Sequence, residues 1–188
     1  MTSVHEPETL KSRYFQYIKE AETIFTEKGR QYGHSWLAFR LPSLIDQLMI
    51  KVRRIRTIQE RGTQQVEDPI REEYLAIINY AVLALIRLHM TADEESRLEA
   101  DAMPISEPYH RYVQEAYQTM ERKNHDYGEA WREMFEASFA DMILAKLMRI
   151  KTMLTSERAQ RPTAAIHDNL IDIINYAIFA LLKHDGHA

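Results

Sequence analysis

Lys28-Gly-Arg-Gln-Tyr-Gly-His-Ser-Trp36 and Lys123-Asn-His-Asp-Tyr-Gly-Glu-Ala-Trp131 carry Lys, Tyr, Gly and Trp at the same spacing, 95 residues apart (123 − 28). The same offset aligns Ser43, Asp46, Lys51, Arg54, Ile55 and Thr57 with Ser138, Asp141, Lys146, Arg149, Ile150 and Thr152. That makes ten identities between residues 28–58 and 123–153, where unrelated segments of ordinary composition would share roughly two. One inserted residue later, Ile77-Ile-Asn-Tyr-Ala81 returns as Ile173-Ile-Asn-Tyr-Ala177. Upstream, Tyr14, Tyr17, Glu20 and Ala21 return as Tyr109, Tyr112, Glu115 and Ala116. The chain therefore reads as a tandem duplication with a repeat of about 75 residues.

The unit being repeated is helical. Five glycines and six prolines punctuate 188 residues, and apolar positions recur at three and four with almost no alternation, so the fold class is all-α. Three helices are expected per copy. The first runs from near Leu10 to Glu27, or Tyr109 to Arg122, with Gly29 or Asn124 as the stop. The second starts at Ser43 or Ser138, with Asp46 or Asp141 at capping-box spacing. The third covers about Pro69 to His89 and Ala164 to Lys183. Residues 9–90 then form the first repeat and 109–183 the second. Residues 91–108, acidic and containing Pro104 and Pro108, read as a surface linker. Residues 1–8 and 184–188 read as mobile tails. Two short modules of this kind bury their apolar faces against each other, which predicts a pseudo-two-fold helical bundle and leaves homo-oligomers open.

Composition narrows the functional classes. With 45% hydrophobic residues the chain can bury a core, and without cysteine it has no disulfide, thiolate ligand or thiol nucleophile. A net charge of −4 argues against a general nucleic-acid binder. It leaves room for a nucleotide or other phosphorylated small molecule in a local pocket. Interrupted apolar stretches such as Ile77 to Ile86, and a start lacking a basic-then-apolar pattern, point to a cytoplasmic protein with no membrane partner.

Polar residues on apolar faces are the candidate site. Lys51 projects among Leu44, Leu48, Ile55 and Ile58, and Lys146 among Phe139, Ile143, Ile150 and Met153. A buried ammonium needs a partner. That partner is either a third-helix carboxylate or a phosphate, with Arg54 or Arg149 three residues on and Lys28 or Lys123 nearby. On the third helix of the second copy, Asp168, Asp172 and Asn175 line a stripe at i, i+4 and i+7. Two such carboxylates hold Mg²⁺, or else Asp172 pairs with Lys146 and Asp168 interacts with the helix N-terminus. The first-copy equivalents are Glu72, Ala76 and Asn79, so one acid is missing and the second copy reads as the more complete site. Tyr32 with Trp36, and Tyr127 with Trp131, either stack a base or plug the bundle.

The run Lys123-Asn-His-Asp-Tyr-Gly128 with Trp131, then Lys146-x-x-Arg149, then Asp168-x-x-x-Asp172-x-x-Asn175-Tyr176, resembles the nucleotide modification associated domain 1 family, with the first copy a degenerate second example. The resemblance implies an all-helical domain acting in the handling or modification of nucleotides. A more distant similarity is to MazG-type all-α nucleoside triphosphate pyrophosphohydrolases, whose E-x-x-E and E-x-x-D pairs hold Mg²⁺. Glu133-x-x-Glu136 with Asp168 and Asp172 follows that order, although the last spacing is four instead of three. Two functions are expected to compete. One is a Mg²⁺-dependent nucleotide binder that cleaves a nucleoside triphosphate, with Asp168 and Asp172 on the metal, Lys123, Lys146 and Arg149 on phosphate, and Tyr127 and Trp131 on the base. The other is a non-catalytic helical interaction module in which the same residues form structural pairs.

Overall fold

The structure, a computed structural model, describes residues 9–65, 69–156 and 163–187; the segment 1–8, expected as a tail, lies outside them. Among the described residues there are helices and no strand. α1 (Leu10–Tyr32), a 3-10 turn (Ser35–Ala38), α2 (Leu41–Arg61) and α3 (Ile70–His89) make the first copy. α5 (Ser106–Tyr127), a 3-10 turn (Ala130–Glu133), α6 (Glu136–Thr155) and α7 (Thr163–His184) make the second. Between them lies α4 (Ala92–Glu99).

α3 and α7 are the central pair. Their sequences, Tyr74-Leu-Ala-Ile-Ile-Asn-Tyr-Ala81 and Leu170-Ile-Asp-Ile-Ile-Asn-Tyr-Ala177, are apolar nearly all round. A helix of that kind is stable only with neighbours on every side. α3 packs on α7, α2 on α6, and α1 and α5 each pack against both central helices. By length and hydropathy α7 would suit a bilayer, although the apolar stretches of the sequence are interrupted. Its apolar window is 78% buried inside the bundle, so the core accounts for it.

Cross-copy bonds obey the pseudo-two-fold axis. The Tyr14 hydroxyl donates to Asn175 Oδ1 at 2.8 Å, and the Tyr109 hydroxyl donates to Asn79 Oδ1 at 2.7 Å. Each asparagine in turn donates to a carbonyl of its own copy's first helix, Asn79 to Ala21 at 2.8 Å and Asn175 to Ala116 at 3.1 Å. Asn79 and Asn175 are buried, so these bonds fix the docking of the copies. Burial also pushes the Tyr14 and Tyr109 hydroxyls well above the ordinary phenol range, so they remain donors. On the surface, Asp46 pairs with Lys151 and Asp141 with Arg56, again related by the offset of 95 residues.

Three local expectations are corrected. α1 and α5 run past Gly29 and Asn124 and stop at Gly33 and Gly128, whose φ values of 58° and 60° lie in the left-handed region that glycine adopts freely. α2 and α6 start two residues before Ser43 and Ser138 without a side-chain cap, so no capping box forms there and Asp46 and Asp141 turn to the ion pairs above. The expected linker holds α4, whose own capping box joins Thr91 and Glu94. Leu98 of α4 is completely buried in a satellite cluster with Leu37 and Met103. The segment after α7, expected as part of a mobile tail, is also anchored: Asp185 accepts from Tyr17 and Arg71, and Arg13 meets His187 at 2.8 Å.

Candidate functional site

Lys51 and Lys146 both reach a third-helix acid, on different turns. Lys146 Nζ donates to Asp172 Oδ2 at 2.7 Å, and Lys123 donates to Oδ1 of the same carboxylate at 2.5 Å. In the first copy, Ala76 removes that carboxylate, and Glu73 takes over from one turn earlier. Its oxygens lie 3.1 Å from Lys51 and 2.6 Å from Arg54, and Glu73 itself is buried. A buried carboxylate is tolerable only when so neutralised. Periodicity and the repeat miss Glu73, because it is Glu72 that aligns with Asp168, while Glu73 aligns with Asn169. Glu72 is exposed instead.

The donor set expected for Mg²⁺ does not fit the ion. Both Asp172 oxygens are held by ammonium groups, and Asp168 is exposed one turn away. Glu136 pairs with His184, Glu133 is exposed, and no three acids or histidines converge on a cation position among the described residues. Arg149 is exposed and stands apart from the Lys123–Asp172–Lys146 group, with no ion pair among the described residues. Asn79 and Asn175 serve the packing bonds, not a ligand.

The aromatic turns differ between copies. Trp131 is 5% exposed and lies flat on Phe179, with ring centroids 4.6 Å apart and planes 4° apart, while Arg132 covers its ring. It plugs the bundle and is not free to stack a base; Tyr127 beside it is exposed. In the first copy, Leu83 replaces Phe179 and offers no ring, and Leu37 replaces Arg132 and joins the satellite cluster. Trp36 is only half-buried there and borders a cavity.

That cavity encloses about 790 Å³. Its wall comes from the end of α1 and the following turn, with Phe25, Lys28, Arg30, Tyr32, His34, Trp36 and Phe39, together with Tyr80 of α3. Its roof, Asp101 to Ser106, belongs to the segment leading into the second copy. The nearest acids are already engaged: Glu22 with His110 and Asp101 with His34, each at 2.6 Å. Lys28 has no carboxylate partner among the described residues, since Ala76 stands where Asp172 holds Lys123. The equivalent groove of the second copy, bordered by Thr9 to Lys11 and by Tyr117 to Glu129, is smaller at about 450 Å³. The sequence favoured the second copy; the larger cavity is in the first. No local pattern announces it, because the roof is remote in the chain and the space depends on which side chains fill the mirror position.

The two halves match one family model, described as nucleotide modification associated domain 1, over residues 28–88 and 123–183. The chain belongs to the nucleotide modification associated domain 1 family. No curated protein and no solved structure matches it, and the distant likeness to MazG-type enzymes gains no support. Within the nucleotide modification associated domain 1 pair, the first match ends at Leu88 and the second begins at Lys123, so the roof of the cavity and α4 lie outside both matched regions.

Proposed function

We propose that the chain is a nucleotide-binding protein that takes its ligand in the first-copy cavity. The observation that carries this reading is the meeting, in one concave space, of aromatic faces with cations that have no carboxylate partner among the described residues. Phe25, Tyr32, Trp36 and Tyr80 offer π faces for a base, and Lys28 and Arg30 stand at the exposed side for phosphate. The volume falls within the range of small-molecule sites, roughly 300–1,000 Å³. The family's association with nucleotide modification supports the same theme. No residue of the cavity is assigned a catalytic role.

A second reading has its own support. Lys51, Arg54 and Lys146 are consumed in ion pairs with Glu73 and Asp172, as expected of a helical interaction module whose charges are structural. A thermal-shift panel of nucleoside mono-, di- and triphosphates, followed by calorimetry, separates the two. A nucleotide that binds should raise Tm by mass action, and Tyr32→Ala and Lys28→Met should each weaken it. If no nucleotide shifts Tm at millimolar concentration, the interaction module stands instead.

A further inference from the structure

The mouth of the cavity contains an exposed carboxylate that buries little surface of its own yet is held against a histidine. Asp101 is 84% exposed, yet its oxygen lies 2.6 Å from His34 Nε2. Its backbone φ of 52° places a residue other than glycine in the left-handed region, a conformation that carries a small cost for an aspartate. Leu98 and Met103 on either side are buried against Leu37, and they bring the Asp101 carboxylate over the turn that contains His34. Lys28, Arg30 and His34 border the same opening. Of these three, His34 alone has a carboxylate partner among the described residues.

We infer that His34 is a phosphate-contact residue of this cavity, and that Asp101 is a built-in competitor which occupies His34 until a phosphorylated ligand displaces it. The inference rests on the nucleotide-binding reading and adds to it a specificity element: the roof admits a ligand in proportion to the anionic charge it brings. A phosphate offers the imidazole the same acceptor chemistry as a carboxylate, with more charge and with Lys28 and Arg30 as further partners. An uncharged nucleoside offers His34 only neutral acceptors, weaker than the Asp101 carboxylate. The turn belongs to the first copy and Asp101 to the segment between α4 and α5, so the latch also joins the first copy's 3-10 turn to the chain that leads into the second.

Calorimetry with ATP, inorganic pyrophosphate and adenosine, on the full chain and on Asp101→Asn, tests this. Asparagine tolerates the left-handed backbone and removes the competing charge. The expected result is about three- to fivefold tighter binding of ATP and pyrophosphate, no change for adenosine, and a smaller difference in high salt. His34→Gln supplies a second arm. It should weaken ATP binding, and Asp101→Asn added to it should give no further gain, a coupling that mere loosening of the roof would not produce. If ATP binds the unaltered chain but Asp101→Asn tightens adenosine equally, or tightens neither, the latch is overturned and the binding site survives. If ATP and pyrophosphate bind neither protein, both readings fall.

Discussion

At position 76 the first copy presents a methyl group where the second presents the carboxylate of Asp172. The consequence reaches two lysines. Asp172 draws Lys123 and Lys146 together, whereas Lys28 and Lys51 part, Lys51 going to Glu73 and Lys28 to the cavity wall. Ala76→Asp should therefore capture Lys28, weaken ATP binding about tenfold and leave Tm nearly unchanged, as calorimetry and a melting curve would show. Unaltered affinity would mean that Lys28 contributes nothing to the site. At this scale much could be read in advance: an inward lysine demands an anion, and both inward lysines have one. Which carboxylate serves could not, because Glu72 and Glu73 point to different faces of α3, and only the packing of α2 decides between them.

Elements were legible where a local signal sets them. The helices, their pairing across the offset and the Tyr-Gly-x-x-Trp turn follow from periodicity and repetition, whereas the stops at Gly33 and Gly128 lie four residues beyond the expected Gly29 and Asn124. α4 was not read, because eight residues rich in acids resemble a solvated linker until Leu98 finds Leu37 and Met103. Its start depends on charge. The Thr91 backbone N–H and hydroxyl donate to Glu94 and hold its carboxyl below the ordinary value of 4.5. A depressed carboxyl pKa means the cap contributes fully above that ordinary value and is lost as pH falls through the lower, folded one. Amide exchange in α4, measured between pH 6 and 3, should accelerate over that lower window, with Glu94→Gln already fast at pH 6. An identical pH profile for Glu94→Gln would show the cap to be inconsequential.

For the molecule as a whole, the paired Tyr–Asn bonds decide how the copies dock, while the exposed ion pairs Asp46–Lys151 and Asp141–Arg56 contribute little. Asn79→Ala strands the Tyr109 hydroxyl in the interior and removes the second hydrogen bond to the Ala21 carbonyl, which keeps its helical partner. It should cost about 3 kcal/mol, a fall in Tm of roughly 6–12 °C, and Asn175→Ala should match it closely. A large disparity in calorimetric melts would mean that the pseudo-symmetry does not extend to the energetics. The anchoring of the segment after α7 has a further outcome. Asp185 and His187 are held by Tyr17, Arg71 and Arg13, so the start of α1 and the segment after α7 are neighbours. Covalent order along the polypeptide is then dispensable to the architecture: a circular permutant joining His187 to Thr9 through a short glycine-serine bridge, and opened between the exposed Gln64 and Gln65, should recover the parent's circular dichroism and its cavity. In that rearranged chain α3 would lead and α2 would finish, and the two halves of the old duplication would no longer follow one another as separate repeats.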